Sequence, residues 1–254
     1  MLNKIIYIGG RGKLANFLRS NTNYIISSRD AKDPYYFDLY DLENSKLLSL
    51  KDYTIVFGAA ISSPDFCQNN VKSCMEINYD LTKNAISKLL KFNKVIFLSS
   101  DLVYSGNNHD EELNEKVTPK PVGLYEKLKY KVELEFSSNS LFYIIRLSFV
   151  EFIDNSFFSY LNYCINNFEK PQIIDPLIRH TTHPNEIMKT IEKYHLGIIK
   201  YPIINLSGTK KSRIDLLNQW EKISGFKIDY KVVPIESSEL KHKPKYINFK
   251  SLYL

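Results

Sequence analysis

Tyr125 and Lys129 stand four residues apart and have the chemistry of a proton donor and a cation that adjusts it. On a helix, positions i and i+4 lie on one face, so the phenol and the ammonium would be neighbours. A neighbouring ammonium favours the phenolate and lowers the pKa of a tyrosine, which is about 10 in isolation. The Ser100 hydroxyl, 25 residues upstream, completes a predicted catalytic set. Because the chain contains 18 tyrosines and 34 Lys and Arg residues, this spacing also arises by chance, and a dinucleotide site must support it.

The elements that would position these side chains follow from apolar runs of strand length that alternate with amphipathic segments. Continuous apolar runs indicate strands covered on both faces, as in a parallel sheet. The predicted strands are 4–8, 24–27, 53–57, 94–99, 142–147 and 203–206, and the predicted crossover helices are 12–19, 78–92 and 125–136. The predicted fold is α/β, a doubly wound parallel sheet of the Rossmann type.

The strand pattern lapses after residue 147 into an aromatic stretch and returns at 201–207. We therefore predict a dinucleotide-binding domain of residues 1–147, completed by 181–207. Residues 148–180 and 208–254 would form a small, interleaved C-terminal substrate lobe over the sheet edge. Most of the aromatic stretch is predicted to be helix core, and Trp220 to be a packing residue on a helix over 212–223. Residues 110–121, acidic and then punctuated by prolines, predict a surface loop.

Composition excludes several classes of protein. A chain of 254 residues, 44% of them hydrophobic, can bury a sizeable core. The net charge of +6 comes from scattered lysines without a like-charged run, which argues against nucleic-acid binding and leaves attraction for an anionic ligand. Three cysteines without C-x-x-C spacing argue against a disulfide framework and a zinc site. The strand-like start and the lack of a long apolar run predict a cytoplasmic protein without a signal peptide or a membrane span.

A glycine-rich turn follows the first predicted strand and precedes a helix. Gly9, Gly12 and Ala15 have the spacing G-x-x-G-x-x-A. Small residues at these positions allow a tight turn and a close approach of the backbone to a pyrophosphate, which the helix N-terminus would face. This context predicts a dinucleotide site.

The end of the second predicted strand bears on the choice of cofactor. An acidic residue there would hold the 2′-hydroxyl of NAD, whereas Ser28 and Arg29 suit a 2′-phosphate. Arg11 in the glycine turn is a second candidate for the same phosphate, and Asp30 leaves NAD(H) open. NADP(H) is therefore the favoured cofactor.

With these motifs in place, the chain resembles the extended short-chain dehydrogenase/reductase family, in particular its dTDP-4-dehydrorhamnose reductase branch and the related NAD-dependent epimerase/dehydratases. The resemblance covers most of the chain in family order. The matching segments are 9–15, 37–39, 58–60, Asn78, 99–104, 125–129 with Glu133, 145–148 and 243–245.

The resemblance implies a role for each matched site residue. Ser100 would hydrogen-bond the substrate carbonyl or alkoxide, Tyr125 would give or take the proton, and Lys129 would bind the nicotinamide ribose and lower the pKa of the tyrosine. Asp38 and Leu39 match positions that border the adenine. The predicted cofactor-binding residues are Gly9, Gly12, Lys13, Leu14, Ser28, Arg29, Asp38, Leu39, Ala59, Ala60, Tyr125 and Lys129.

The chain departs from the family pattern in ways that concern the substrate. Glu126 replaces the glycine that often follows the catalytic tyrosine, which puts a charge near the cleft. The glycine common beyond the sixth strand is missing, and the chain is shorter than many relatives. An abbreviated substrate lobe, and a smaller or differently held substrate, are the expected consequences.

Other polar residues are weaker candidates for ligand contacts. Asp101 and Arg179 are predicted substrate contacts, and Lys250 is a further candidate for a nucleotide diphosphate. His180 and His183 have no further ligands at suitable spacing, so we predict buried or capping histidines and no metal site.

The predicted function is NADP(H)-dependent reduction of a keto group on a nucleotide-activated deoxysugar, a 4-keto-6-deoxysugar in particular, in surface polysaccharide synthesis. A nucleotide-sugar epimerase with bound NAD and a non-catalytic NAD(P)-binding regulator stay open, as does a carbonyl reductase for small lipophilic ketones. The family's dehydratases often carry an Asp-Glu pair after the catalytic Ser or Thr, so Asp101-Leu102 disfavours dehydration. The expected partner is a nucleotide sugar, and a homodimer is compatible with the resemblance.

Overall fold

A computed structural model of the chain describes residues 4–152, 155–238 and 245–254. Lys243 and Pro244 of one matched segment lie outside the described residues. The strands are β1 (Ile5–Ile8), β2 (Ile25–Ile26), β3 (Thr54–Phe57), β4 (Lys94–Ser100), β5 (Phe142–Leu147), β6 (Phe149–Val150), β7 (Gln172–Asp175), β8 (Ile178–Thr182), β9 (Ile203–Leu206), β10 (Thr209–Ser212) and β11 (Lys231–Pro234). The α-helices are α1 (Lys13–Asn21), α2 (Pro64–Asn69), α3 (Val71–Met75), α4 (Thr82–Leu89), α5 (Leu124–Phe136), α6 (Ser156–Asn166), α7 (Pro184–His195) and α8 (Arg213–Ser224).

Six parallel strands form the central sheet in the order β2-β1-β3-β4-β5-β9. The strand order reverses between β1 and β3, and in such sheets ligands bind at the carboxyl ends of the strands beside this switch point. Helices α1 and α7 cover one face through Leu18 and Ile187, whereas α4 and α5 cover the other through Ile86 and Val132. The prediction of a doubly wound Rossmann-type sheet is confirmed.

Two predicted elements differ from the structure for local reasons. The second predicted strand, 24–27, is reduced to Ile25–Ile26, and the Oγ of Ser27 accepts a hydrogen bond from the Gly9 backbone N–H at 3.2 Å. The predicted helix 78–92 is a π-helical segment, Glu76–Leu81, followed by α4. In that widened turn, the Asn78 amide accepts from the Ile61 N–H at 2.8 Å and donates to the Ile61 carbonyl at 2.9 Å. Both departures fix loops at the carboxyl edge of the sheet.

A second group of elements lies outside the central sheet. Strands β10-β8-β6 form one small sheet and β11-β7 another. Helices α6 and α8 pack through Phe157, Phe158 and Trp220, and the Trp220 indole donates to Asn162 Oδ1 at 2.9 Å. The expected packing role of Trp220 is confirmed. Helix core for most of the aromatic stretch is wrong: it holds for Phe157 and Phe158, whereas Phe149 lies in β6 and Tyr160 and Tyr163 are exposed on α6.

The C-terminal segment returns to the central sheet. Ile247 and Phe249 pack with Tyr104 and Leu113, and the Asn205 side chain of β9 donates to the Lys250 carbonyl at 2.9 Å. The loop 110–121 carries no regular element, as expected. Its Leu113 is buried, so this residue holds the loop against the rest of the protein. None of the helices in the described part of the chain is long and apolar enough to cross a membrane.

Candidate active site

The glycine turn after β1 packs closely against neighbouring backbone. Gly9 has a φ of +124°, which only glycine adopts readily. A Cβ on Gly10 would lie 1.8 Å from the Ser27 carbonyl oxygen, so this position excludes any side chain. Gly12, directly before α1, has no side chain that could cap this nine-residue helix, and the N-terminus of a helix attracts an anion. The sequence spacing singled out Gly9 and Gly12 but missed Gly10, whose constraint comes from another strand.

The residues predicted to bind the cofactor gather beside this turn. A Cβ on Gly9 would lie 3.1 Å from the Ala59 backbone nitrogen, so the loop holding Ala59 and Ala60 borders the turn. The Phe37 N–H donates to the Ser28 carbonyl at 2.7 Å, which brings the Asp38–Leu39 segment next to the end of β2.

The accessibility of these side chains differs. Arg11, Lys13 and Arg29 are exposed and Ser28 is half-buried, so their polar groups can reach a ligand. The side chain of Leu14 is buried in the core between α1 and the sheet, and only its backbone is left for a cofactor.

The predicted catalytic residues meet where β4 ends and α5 begins. The Ser100 Oγ accepts from the Leu102 N–H at 3.2 Å and donates to Asp101 Oδ1 at 3.3 Å. Tyr125 and Lys129 are both buried on the inner face of α5. The Lys129 ammonium lies 5.9 Å from the centroid of the Tyr125 ring and donates to the Leu98 carbonyl at 2.9 Å. Ser100 also interacts with the Tyr125 phenol.

The protonation of this set differs from the expectation that Lys129 lowers the pKa of the tyrosine. Burial raises the pKa of Tyr125 well above its ordinary value, and the charges of Asp101 and Glu126 add to the effect, while Ser100 opposes it. Burial lowers the pKa of Lys129 to about 8, with Glu133 acting in the opposite direction. The phenol therefore holds its proton at neutral pH, which is the form of a proton donor.

Glu126, the departure from the family pattern, is buried at the first turn of α5. Its carboxylate turns back toward Gly123, where an added Cβ would lie 2.2 Å from Oε2. Gly123 thus makes room for the carboxylate, and the charge acts on Tyr125 from within the protein.

Two arginines and an aspartate interact electrostatically beyond Ser100 and Tyr125. Asp101 is buried and accepts a hydrogen bond from the Ser148 hydroxyl at 2.6 Å. Burial raises the pKa of Asp101, whereas Ser148 and then the charge of Arg179 oppose that rise. Arg213 at the start of α8 stacks on Phe157, with Cζ 4.7 Å from the ring centroid. Burial and the like charge of Arg179 lower the pKa of Arg213 to about 10.

These guanidinium groups lie close enough to repel each other and so are suited to a shared anion. Arg213 was not predicted from the sequence, because it belongs to no motif and its proximity to Arg179 arises from folding. Lys250, in contrast, forms a surface ion pair with Glu112 at 2.7 Å.

The two histidines are accounted for structurally, as predicted. His183 caps α7, since its ring accepts from the Asn185 N–H at 3.2 Å. His180 is buried and stacks on Tyr246 with ring centroids 5.9 Å apart.

A comparison with known families now decides the membership of the chain. The family profile described as RmlD substrate binding domain matches residues 3–191. The chain belongs to this family. A search of curated proteins found no match. The resemblance seen in the sequence motifs is therefore confirmed.

Solved structures share the fold of this RmlD substrate binding domain family member. The dTDP-4-dehydrorhamnose reductase of Yersinia enterocolitica superposes with a TM-score of 0.77 at 20% identity, covering 99% of this chain and 91% of that one. The dTDP-4-dehydrorhamnose reductase of Bacillus anthracis, in complex with NADP, gives 0.79 at 18% identity, with 98% and 90% covered. The UDP-glucose 4-epimerase of Thermotoga maritima, with UDP-glucose, gives 0.73 at 15% identity, with 97% and 90% covered. At these identities the likeness establishes the fold.

Proposed function

We propose that this protein is an NADPH-dependent reductase of a keto group on a nucleotide-activated deoxysugar, in particular a 4-keto-6-deoxysugar, serving surface polysaccharide synthesis. The observation that carries the proposal is the meeting of three buried side chains, Ser100, Tyr125 and Lys129, where β4 ends and α5 begins at the carboxyl edge of the sheet. Reduction requires a proton donor, and the burial of the phenol favours the protonated form.

The residues beside β1 and β2 fit a dinucleotide phosphate. At Gly12 an added Cβ would meet the Gly9 carbonyl oxygen at 3.4 Å and no other atom within 4 Å, so the turn leaves space at the start of α1 that a pyrophosphate could fill. Ser28 and Arg29 would hold a 2′-phosphate, which supports NADP(H) and agrees with the NADP bound to the Bacillus anthracis relative. Asp38, Leu39, Ala59 and Ala60 would border the adenine and ribose.

The catalytic roles follow from the positions of three side chains. When bound, the nicotinamide supplies a hydride to the carbonyl carbon. Tyr125 then gives its proton to the developing alkoxide oxygen, and the Ser100 hydroxyl donates a hydrogen bond to the same oxygen. Lys129 would hold the ribose hydroxyls, and its positive charge would stabilise the phenolate left on Tyr125.

For the substrate, we propose the lobe formed by residues 148–180 and 208–254. Arg179 and Arg213 present two partly buried cations on β8 and α8, which suits the diphosphate of a nucleotide sugar. Asp101, which accepts a hydrogen bond from Ser148, would hydrogen-bond a sugar hydroxyl or orient Arg179.

The proposal is tested by following NADPH oxidation against a panel of nucleotide 4-keto-6-deoxysugars. We expect turnover with at least one member, and Tyr125→Phe should lower that turnover at least a hundredfold while leaving NADPH binding nearly unchanged. Full activity of Tyr125→Phe would exclude this mechanism. A flat response across the panel would exclude the substrate class.

The cofactor assignment has its own test. Removing one charge-assisted contact costs roughly a factor of ten in affinity or more, so Arg29→Ala should raise the KM for NADPH about tenfold and leave that for NADH unchanged. Lys32→Ala, three residues along on the same exposed segment, is the matched control. A wild-type preference for NADH would overturn the assignment.

A nucleotide-sugar epimerase is the second candidate, because Asp30 follows Arg29 at the end of β2 and the Thermotoga maritima relative is an epimerase. An epimerase first removes a proton from the substrate and keeps its NAD, whereas a reductase exchanges its cofactor. Denaturing the purified protein and identifying the released nucleotide separates the two: stoichiometric NAD favours the epimerase, and cofactor-free protein that responds to NADPH favours the reductase. The intact catalytic set argues against a non-catalytic regulator.

A further inference from the structure

A buried ion pair lies one helical turn beyond Lys129. Glu133 on α5 and Arg146 on β5 are each only 2% exposed. The Arg146 Nε lies 3.1 and 3.2 Å from the two carboxylate oxygens, and its NH2 group lies 2.5 Å from Oε2. This is a fork-shaped pairing of guanidinium and carboxylate, which fixes orientation as well as distance.

Two further contacts tie the ion pair to the candidate active site. The hydroxyl of Ser99, the residue directly before Ser100, donates to Glu133 Oε1 at 2.5 Å. Arg146 NH1 donates to the Tyr104 hydroxyl, which in turn donates to the Asn114 carbonyl at 2.8 Å. The cluster therefore joins α5, which carries Tyr125 and Lys129, to the end of β4, which carries Ser100.

Stability alone does not explain charges in this position. Taking two ions out of water costs several kcal/mol each, and well-packed apolar residues often replace such a pair without loss. A carboxylate four residues from Lys129 on the same helix, however, does something an apolar residue cannot. It supplies negative charge to an ammonium that burial disfavours.

The other groups around Lys129 do not provide a comparable anion. Tyr125 holds its proton, and burial raises the pKa of Cys67 on α2 to about 12, so its thiol is neutral at physiological pH. Glu126 lies against Gly123 at the start of α5. Arg146 offsets part of the charge of Glu133, yet Glu133 is the leading influence that favours the Lys129 cation.

We propose that Glu133, held by Arg146 and Ser99, is a positioning residue: it holds α5 against the strand end that carries Ser100, and it places a negative charge one helical turn from the Lys129 ammonium. The inference rests on the proposed reductase function for its catalytic consequence. Its physical content, the charge state of Lys129, is independent of any substrate.

The test compares the parent protein with Glu133→Gln and with the double variant Glu133→Gln/Arg146→Met. The double variant removes both charges, so it avoids a buried unpaired arginine and should fold where the single variant does not. Glu133→Asp keeps the charge and serves as the conservative rescue. Circular dichroism and thermal unfolding establish that each variant is folded.

Two readouts follow on the folded variants. The first is the dependence of kcat on pH for the reductase. Loss of Glu133 should lower the pH at which kcat falls on the alkaline side by about one to two units, and should lower kcat at pH 8 roughly tenfold. The KM for the sugar nucleotide should change little, and Glu133→Asp should keep the alkaline fall of kcat at the pH seen in the parent protein.

The second readout needs no ligand: the pH dependence of unfolding is measured with and without Lys129→Met in each background. The pH at which Lys129 titrates should be lower in the double variant than in the parent. An unchanged titration in the folded double variant would overturn the proposal. A lowered titration in a protein that reduces no nucleotide sugar would uphold the role of Glu133 and refute the reductase instead.

Discussion

Burial shifts the pKa values of the two central residues of the candidate site, Tyr125 and Lys129, in opposite directions. It disfavours the charged form of each, so the Tyr125 phenol holds its proton while the Lys129 ammonium is weakened, with a pKa of about 8. A protonated phenol suits the donation of a proton to an alkoxide. The ammonium depends on nearby negative charge, which Glu133 supplies, and so the chemistry of the pair is decided by its surroundings.

Lys129→Met should reveal the cost of that buried charge. The unfolded state binds the lysine proton up to about pH 10.5, whereas the folded state loses it near pH 8, so the unfolded chain holds more protons between these values. The parent protein therefore gains stability relative to Lys129→Met as the pH rises from 8 to 10.5, by an amount on the order of 3 kcal/mol.

Chemical unfolding at several pH values measures this difference directly. Lys127→Met, at an exposed position on the same helix, is the control and should show little pH dependence. A difference between parent and Lys129→Met that stays constant from pH 7 to 11 would contradict the depressed pKa.

At the scale of elements, short contacts between strand ends and loops build the proposed cofactor site. Ser27 at the end of β2 holds the Gly9 amide, and Arg19 on α1 donates to the Gly10 carbonyl at 2.8 Å. Asn78 in the π-helical turn holds the loop after β3 through both hydrogen bonds to Ile61. These contacts within the protein fix the shape of the carboxyl edge of the sheet.

Gly10→Ala should disrupt this edge, because its Cβ would lie 1.8 Å from the Ser27 carbonyl. We expect a loss of about 2–3 kcal/mol in the free energy of unfolding of the ligand-free protein, together with weakened NADPH binding. Gly12→Ala is the matched control: its φ is −79° and its Cβ would lie 3.4 Å from the Gly9 carbonyl, so the cost should stay below about 1 kcal/mol. Equal stabilities of the two variants, measured by denaturant titration, would rule out this steric role for Gly10.

At the scale of the whole molecule, the C-terminal segment connects the outer elements to the central sheet. Glu115 accepts hydrogen bonds from the Asn205 N–H at 2.8 Å, the Ser251 hydroxyl at 2.6 Å and the Leu252 N–H at 2.9 Å. One half-buried carboxylate thus joins a loop, an edge strand and the end of the chain. The segment also places Phe249 against Tyr104, with ring centroids 6.1 Å apart, close to the turn that follows Ser100.

Glu115→Gln should therefore destabilise the protein by about 2–3 kcal/mol, since it weakens several hydrogen bonds to a charged acceptor. Glu112→Gln breaks only the exposed ion pair with Lys250 and should cost less than about 1 kcal/mol. Thermal unfolding of both variants checks the comparison, and a larger loss for Glu112→Gln would refute the bridging role of Glu115.

Local pattern was sufficient for much of the fold. The strands 142–147 and 203–206 match β5 and β9 at both ends, because each is a mainly apolar run of strand length with a single strongly polar residue, Arg146 in β5 and Asn205 in β9. The glycine turn and the Tyr125–Lys129 pair were also predicted from the sequence, since each depends on residues a few positions apart. The helix over 78–92 was located less well because the π-helical turn is stabilised by a contact of Asn78 with residue 61, 17 positions away.

The sequence by itself determined the fold class, the position of the glycine turn and the identity of the candidate catalytic residues, because these follow from short-range spacing and hydrophobic period. Only the tertiary structure decided the protonation state of Tyr125, the proximity of Arg179 and Arg213, and the pairing of Glu133 with Arg146 and Ser99. Each of these depends on residues distant in the chain, such as Ser99 and Glu133, which are 34 positions apart. Burial and charge at a site are sums over all neighbours in space, and folding alone brings those neighbours together.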